Sequence, residues 1–156
     1  MMETSAPVKE FWQKFCATSG TPPATPFQVW YFGNSPEMAA ELAGLVVSGK
    51  KCATASQVAY NELHPEAAPV ADGFSVVTDF EGRPLCVIQT TEIRQIPFDE
   101  VDAAFAADEG EGDQSLAYWR DVHHTYFTKE AAENDLEFNE RSLVCCERFK
   151  LLFPKS

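Results

Sequence analysis

The stretch Phe74-Ser75-Val76-Val77-Thr78-Asp79-Phe80 is followed by Glu81-Gly82 and then by Leu85-Cys86-Val87-Ile88-Gln89-Thr90-Thr91. Apolar and β-branched residues dominate both outer segments, and Glu81-Gly82 between them is a tight-turn signal. The stretch predicts a β-hairpin, the clearest in the chain. Two further strands are predicted, a short aromatic one at residues 29–32 and a long one at residues 142–154 that bridges two sides of a small barrel.

Helices are predicted before and between these strands. Residues 6–18 carry apolar side chains at helical spacing. A second helix starts after Ser35, which caps it, and ends at Gly49, and a third starts at Asp113 or Ser115. Because strands and helices do not alternate strictly, a doubly wound parallel sheet is disfavoured. The order predicts an α+β fold, a small β-barrel of mostly antiparallel or mixed strands flanked by α-helices.

The chain length of 156 residues is typical of one compact domain. The proline-rich segment 21–26 cannot form a helix or a central strand. We therefore expect residues 1–26 to form an N-terminal helix and linker, and residues 27–156 to form the main domain.

The charge balance restricts the partners of the protein. Twelve Lys and Arg residues stand against 24 Asp and Glu residues, which gives a net charge of −12. This charge repels polyanions over most of the surface and excludes a broad interface for duplex nucleic acid. The five cysteines lack the spacing of a zinc site. Since no signal peptide or membrane-spanning run is visible, we expect a cytoplasmic protein with free thiols and no membrane partner.

The segment Gly49-Lys50-Lys51-Cys52-Ala53-Thr54-Ala55-Ser56 is the best candidate for a binding site. Its lysines follow a helix end, where cations are favoured, so a purely structural role would explain them. Alternatively, one lysine points into a cleft together with Thr54 or Ser56. Side chains alternate along a strand, which pairs Lys50 with Thr54. A site that combines Lys51 with Thr54 needs a bend or a bulge between them.

Two downstream features offer partners for these lysines. The stretch Asp108-Glu109-Gly110-Glu111-Gly112-Asp113 is either a solvated connection between helices or a loop that turns one carboxylate inward toward a lysine. The helix after it carries an aromatic stripe that includes Trp119, His123 and Tyr126. The stripe fits core packing, and the alternative is that Trp119 or Tyr126 stacks on a base at the rim of a cleft.

Residues 49–56, 74–85 and 109–120, in this order, resemble the ASCH domain family, a branch of the PUA-like superfamily. The flanking residues resemble its longer bacterial members. The resemblance implies a small PUA-like β-barrel with helices around it, a cleft between barrel and helices, and a link to RNA or nucleosides.

The resemblance also implies a hydrolytic activity. Smaller bacterial relatives are amidohydrolases that remove acyl groups from cytidine derivatives such as N4-acetylcytidine, and no cofactor is required. Their catalytic lysine, threonine and glutamate correspond to Lys51, Thr54 and Glu109. We expect substrate contacts from residues in or beside the same motifs, namely Lys50, Ser56, Arg83, Ser115 and Trp119.

Other longer members bind single-stranded RNA or cut it with a divalent cation. The alternative prediction is therefore an RNA-binding module or a Mg²⁺-dependent ribonuclease. In either case the expected partner is a modified nucleoside or a short single strand of RNA.

The implied chemistry places opposite demands on Lys51. A threonine hydroxyl needs a base before it attacks an amide carbon, and a lysine can serve if burial lowers its pKa toward neutrality. Glu109 opposite the lysine would instead keep it charged. The carboxylate could also shuttle a proton to the leaving amine or position the substrate.

Overall fold

The computed structural model describes residues 4–154, in which five β-strands and five α-helices occur. Short 3-10 turns lie at Pro65–Ala67 and Phe98–Glu100. No helix in this range combines the length and apolarity needed to cross a membrane. The elements in chain order are α1 Ala6–Ser19, β1 Phe27–Trp30, α2 Pro36–Val47, β2 Ala53–Gln57, α3 Val58–Leu63, β3 Phe74–Thr78, β4 Pro84–Pro97, α4 Ala103–Glu109, α5 Leu116–Glu133 and β5 Leu143–Phe153.

The strands form one mixed sheet in the order β1-β3-β4-β5-β2. β1 runs parallel to β3, and the other three pairings are antiparallel. Register shifts at Val87/Ile88 and Thr90/Glu92 interrupt the long β4–β5 pair, where such irregularities increase bend and twist. Among the described residues no strand pairing joins β1 to β2. The predicted α+β fold is confirmed, and its barrel-like sheet is open between these two edge strands.

Consecutive residues of the central strands face different helices. Val76 on β3 and Val87 on β4 pack in one core with Trp12 of α1. Their neighbours Val77 and Ile88 pack in another core that α2 covers. Since side chains alternate along a strand, these apolar runs bury both faces of the sheet. The N-terminal helix is thus packed on the sheet, and the division of the chain between residues 26 and 27 stays a prediction.

A third core lies where α4 and α5 cover β2 and β5. Phe105 of α4 and Trp119 and Phe127 of α5 pack there against Ala53 and Cys146. This core supports the residues of the candidate site.

The sequence signals for helix ends are confirmed. The Ser35 hydroxyl accepts a hydrogen bond from the Met38 amide at 3.1 Å, and Gly49 adopts φ 85° just after the end of α2. The Ser115 hydroxyl accepts from the Tyr118 amide at 3.1 Å, so Ser115 rather than Asp113 caps α5. β1 was predicted at residues 29–32 but runs from Phe27 to Trp30, because these are the residues that pair with β3.

Candidate active site

The lysine pair lies between α2 and β2 and not inside a strand. The backbone amides of Lys50 and Lys51 both donate to the Leu45 carbonyl near the end of α2, and β2 begins only at Ala53. Strand alternation therefore does not extend to the lysines. Lys51 is buried at 2% exposure, whereas Lys50 is exposed, so Lys51 is the lysine that belongs to the interior.

A backbone hydrogen bond brings α4 to this segment. The Cys52 amide donates to the Asp108 carbonyl at 2.8 Å, and α4 ends one residue later at Glu109. Gly110 then adopts φ 69°, and a Cβ at this position would collide with the Lys50 carbonyl. Glycine permits both the left-handed helix end and the close approach. The Glu109 side chain is thereby placed beside the buried lysine.

All three protons of the Lys51 ammonium are used. Its Nζ lies 2.7 Å from Glu109 Oε1, 2.7 Å from Glu111 Oε2 and 3.3 Å from the Glu109 carbonyl oxygen. The Phe32 ring centroid is 5.4 Å from the same nitrogen. Because an ammonium has three donors and no acceptor, the acidic segment satisfies Lys51 completely.

Ion pairing decides the protonation of this buried cluster. Burial alone would lower the pKa of Lys51, but the carboxylates of Glu109 and Glu111 raise it overall. Burial would raise the pKa of Glu109, but Lys51 and His123 hold it well below its usual range. Burial and the Glu109 carboxylate raise the pKa of Glu111. Lys51 is therefore an ammonium and not a free base.

Helix α5 holds the other oxygen of Glu109. The Trp119 Nε1–H donates to Glu109 Oε2 at 2.6 Å, and His123 Nε2 lies 3.3 Å from the same oxygen. His123 Nδ1 lies 2.8 Å from the Trp119 carbonyl, so both ring nitrogens face acceptors, an arrangement that favours the imidazolium. Burial would lower the pKa of His123, but Glu109 raises it. Trp119 is 2% exposed and thus lies in the core, not at a cleft rim.

A cavity of about 520 Å³ adjoins the buried cluster. Both edge strands of the sheet line it, with residues 28–33 from β1 and its extension and residues 54–56 from β2. Phe32 and Phe127 connect the cavity to the buried cluster. Both rings line the cavity, and Phe32 also contacts Lys51 while Phe127 contacts His123. The volume falls in the usual range of small-molecule sites.

Hydroxyl and carboxyl groups of β2 and β5 lie at this cavity. Thr54 and Ser56 line it, and the Ser56 hydroxyl accepts from Asn61 Nδ2 at 2.9 Å. No hydrogen bond of the Thr54 hydroxyl is found within residues 4–154. Glu147 pairs directly with Thr54 across the strands, and its Oε2 accepts from Thr90 Oγ1 at 2.6 Å. Burial raises the pKa of Glu147.

The lining of the cavity also includes acidic and aromatic residues. Glu66 and Glu130 join Glu147 there, and none of the described lining residues is Lys or Arg. Such a lining repels phosphate groups and suits a ring-bearing ligand that is neutral or cationic. The aromatic side chains at the cavity are Trp30, Tyr31, Phe32, Tyr60, Tyr126 and Phe127.

Comparison with known families and structures agrees with this geometry. The family model described as ASCH domain matches residues 28–152. The chain belongs to the ASCH domain family. The PUA-like fold of this family is associated with interaction with RNA and other nucleic acids.

Two solved structures are similar to this ASCH domain along most of its length. The ASCH domain from Lactobacillus crispatus JV V101 is 28% identical with a TM-score of 0.88, and the match covers 97% of this chain and 98% of that chain. Protein EF3133 from Enterococcus faecalis V583 is 34% identical with a TM-score of 0.83, over 93% of this chain and 87% of that chain.

A third structure supports the fold alone. The hypothetical protein PH0355 is 16% identical with a TM-score of 0.52, over 80% of this chain and 99% of that chain. A comparison with curated proteins yields no match.

Three predicted contact residues of this ASCH domain lie away from the cavity. Lys50 is exposed next to Gly49, and Arg83 is exposed in the β3–β4 turn, where its Nε donates to Asp79 at 2.6 Å. The Ser115 hydroxyl is engaged as the cap of α5. None of the three is among the described residues that line the cavity. The structure thus brings Lys51 to Glu109 and Trp119, and brings Thr54 to Ser56 at the cavity. Lys51, Glu109 and Trp119 are, like these three, not among the described residues that line the cavity.

One group of side chains in the ASCH domain has the composition of a metal site. Ligand atoms of Glu109, Glu111 and His123 lie within 4.8 Å of one another. The Lys51 ammonium, however, contacts both carboxylates at 2.7 Å. A divalent cation at this place would have to displace that ammonium and would need a neutral His123.

Sequence reasoning did not assign roles to Glu111, His123 or Glu147. A signal existed for His123, since residues four apart on a helix are neighbours and Trp119 was already a candidate. Glu147 had no comparable signal, because its partner Thr54 lies on a strand that is distant in the chain.

Proposed function

We propose that this ASCH domain is an amidohydrolase that removes an acyl group from a cytidine derivative such as N4-acetylcytidine. The observation that carries the proposal is the Thr54 hydroxyl, which has no hydrogen-bond partner among residues 4–154, at a cavity of about 520 Å³ beside the buried Lys51–Glu109 pair. A hydroxyl of a residue that lines a cavity can attack a bound acyl group once a base takes its proton.

The lining of the cavity supports a nucleoside over a long nucleic acid strand. Its carboxylates at Glu66, Glu130 and Glu147 would repel the phosphates of RNA. Carboxylates also accept hydrogen bonds from the exocyclic nitrogen of cytosine, and aromatic rings stack on bases. A single acylated nucleoside satisfies both properties.

Each member of the predicted catalytic set has a role that fits its place. Thr54 is the nucleophile. Lys51 and Glu109 hold each other as an ion pair behind Phe32, a residue that lines the cavity, and so position this wall of the site. Amide hydrolysis by these groups requires no metal or organic cofactor.

The experiment is release of cytidine from N4-acetylcytidine, followed by liquid chromatography. Thr54→Val keeps the shape of the side chain and removes the hydroxyl, so release should fall to the background rate. Thr125→Val is the matched control, because Thr125 lies on the exposed face of α5, outside the described lining of the cavity, and its hydroxyl donates to the Asp121 carbonyl. If wild-type protein at high concentration hydrolyses no acylated cytidine, the proposal fails.

A second candidate function is single-stranded RNA binding or Mg²⁺-dependent ribonuclease activity. The group Glu109, Glu111 and His123 favours it, since these residues would hold the cation once Lys51 moved. Fluorescence anisotropy of labelled RNA at about 50 mM and about 200 mM salt tests binding, because phosphate contacts strengthen as salt falls. Absence of binding at the lower salt, together with no Mg²⁺-dependent cutting, removes this candidate.

A further inference from the structure

The reaction proposed above needs a base for Thr54, and Lys51 is not available for this task. Its three protons are donated to Glu109 and Glu111, and the ion pairs keep it charged. Glu109 is not available either, because Lys51 and Trp119 occupy its two carboxylate oxygens. The base must therefore be another group at the cavity.

We propose that Glu147 is the catalytic base that takes the proton of the Thr54 hydroxyl. The inference rests on the proposed function and adds a residue to its catalytic set. The inference is based on the register of the sheet, in which Thr54 on β2 lies directly opposite Glu147 on β5.

Directly opposite residues of an antiparallel pair point to the same face, with Cβ atoms about 4.5–5.5 Å apart. Both Thr54 and Glu147 line the cavity, so the shared face is the one on which a substrate would bind. The carboxylate oxygens of a glutamate lie three bonds beyond its Cβ, so rotation of the Glu147 side chain can bring Oε1 to the Thr54 hydroxyl, although no hydrogen bond joins the two groups in this structure.

The surroundings of Glu147 suit a base. The side chain is 7% exposed, and Thr90 Oγ1 donates to its Oε2 at 2.6 Å. This bond orients the carboxylate and leaves Oε1 for a second partner. Burial raises the pKa of Glu147, and a base whose pKa is closer to neutrality both accepts and returns a proton readily.

Glu130, another carboxylate at the cavity, already accepts a hydrogen bond from a neighbouring side chain. Glu130 on α5 accepts a hydrogen bond from Gln57 Nε2 at 2.9 Å, and neither residue pairs with Thr54. The register thus distinguishes Glu147 from Glu130.

The proton and bond changes balance with water as the co-reactant. The Thr54 O–H proton moves to the Glu147 carboxylate as Oγ bonds to the acyl carbon, and the carbonyl electrons move to its oxygen. Collapse of this oxyanion breaks the bond from carbon to N4, and Glu147 returns the proton to N4, which leaves as cytidine. Water then attacks the Thr54 ester, gives one proton to Glu147 and releases the carboxylic acid, and Glu147 reprotonates Thr54.

The test is Glu147→Gln, which keeps the size of the side chain and the acceptor for Thr90. With N4-acetylcytidine we expect kcat to fall by at least about 10²-fold with KM changed little, as for loss of a general base. The rise of kcat/KM with pH that reports ionisation of Glu147 should disappear. Glu92→Gln is the matched control, because Glu92 lies on β4 outside the cavity with its carboxylate on Arg148, and its activity should equal wild type.

Thr90→Val tests whether Glu147 acts as a base or only through its hydrogen bond to Thr90. The variant removes that hydrogen bond and keeps the carboxylate. If Glu147 is the base, kcat should fall less than in Glu147→Gln, and the rise of kcat/KM with pH, the pH limb, should remain. An active wild type whose Glu147→Gln variant keeps both kcat and the pH limb overturns the inference and leaves the proposed function intact. A pH limb lost in Lys51→Met but kept in Glu147→Gln assigns the base to Lys51 and also overturns it. Wild-type protein without hydrolysis overturns both.

Discussion

Lys51 Nζ and Glu109 Oε1 lie 2.7 Å apart, although 58 positions separate the two residues in the chain and both side chains are only 1% exposed. This ion pair ties the end of α2 to the end of α4 beside the cavity. Buried charges are tolerated when each has its partners, and removal of one partner leaves the other charge uncompensated. The pair is therefore sensitive to change on either side.

Replacing Lys51 with methionine should strongly destabilise the protein. Lys51→Met leaves Glu111 without its cation and Glu109 with His123 alone, and loss of one partner of a buried pair costs about 3–5 kcal/mol. The free energy of unfolding in urea, followed by circular dichroism, measures the loss. Lys50→Met is the control, since an exposed substitution changes stability by about 0.5 kcal/mol or less. Equal losses in the two variants would contradict the assignment of Lys51 to the interior.

The indole of Trp119 should contribute through its hydrogen bond to Glu109. Trp119→Phe keeps an aromatic ring in the core but removes the donor at 2.6 Å, which should cost about 1–3 kcal/mol. Trp30→Phe is the comparison, because the half-buried Trp30 indole has no hydrogen bond among the described residues. Urea unfolding measures both variants. A larger loss for Trp30→Phe would mean that ring size and not the hydrogen bond matters.

Stability should fall as pH rises above the ordinary pKa of histidine. His123 has a raised pKa in the folded state, so between about pH 6.5 and that raised value the folded protein binds more protons than the unfolded chain. The stabilisation is complete below about pH 6.5 and is lost as pH rises through the folded-state pKa. Glu109, with its lowered pKa, contributes stability above about pH 4.5 that stays constant in this window.

His123→Gln measures the share of His123 in this pH dependence. Glu111 also has a raised pKa and acts in the same direction from about pH 4.5 upward, so the wild-type slope alone does not assign the effect. Urea unfolding at several pH values should show a shallower decline in His123→Gln than in wild type. His124→Gln, on the exposed side of α5, should keep the wild-type slope.

Alanine substitutions at two glycines distinguish the stability lost to a left-handed backbone conformation from the stability lost to a steric collision. Gly20 and Gly110 both have positive φ, at 80° and 69°, but only a Cβ at Gly110 meets another group, the Lys50 carbonyl. Gly20→Ala should cost about 1–2 kcal/mol for the left-handed conformation. Gly110→Ala should cost more in urea unfolding, because the collision also moves Glu109 away from Lys51. Equal costs would show that the α4 end adjusts freely.

The parts of this fold that depend on neighbouring residues were predictable from the sequence. Ser35 and Ser115 cap helices because their hydroxyls bond amides three residues later, and the hairpin before Thr91 needs only a short turn. The pairing of β2 with β5 was not predictable, since it joins Ala53 to Arg148 across most of the domain. No local pattern specifies such a register.

The candidate site was likewise predictable only in part. Lys51, Thr54 and Glu109 followed from family resemblance, whereas alternation along an assumed strand favoured Lys50. That alternation does not apply because the lysines still bond to the Leu45 carbonyl of α2. Glu147 needed the register of the sheet, which only the folded structure supplies.

The opening in the sheet between β1 and β2 has a consequence for how new specificities arise in this scaffold. Half of the described residues that line the cavity belong to the two edge strands and the extension of β1, whereas the three cores use mainly β3, β4, β5 and the helices behind them. Substitutions at Gln28, Tyr31 or Ser56 can therefore reshape the ligand site while most of the interior packing stays unchanged. We expect natural or laboratory diversification toward other ligands to concentrate in β1, the residues directly after it and β2.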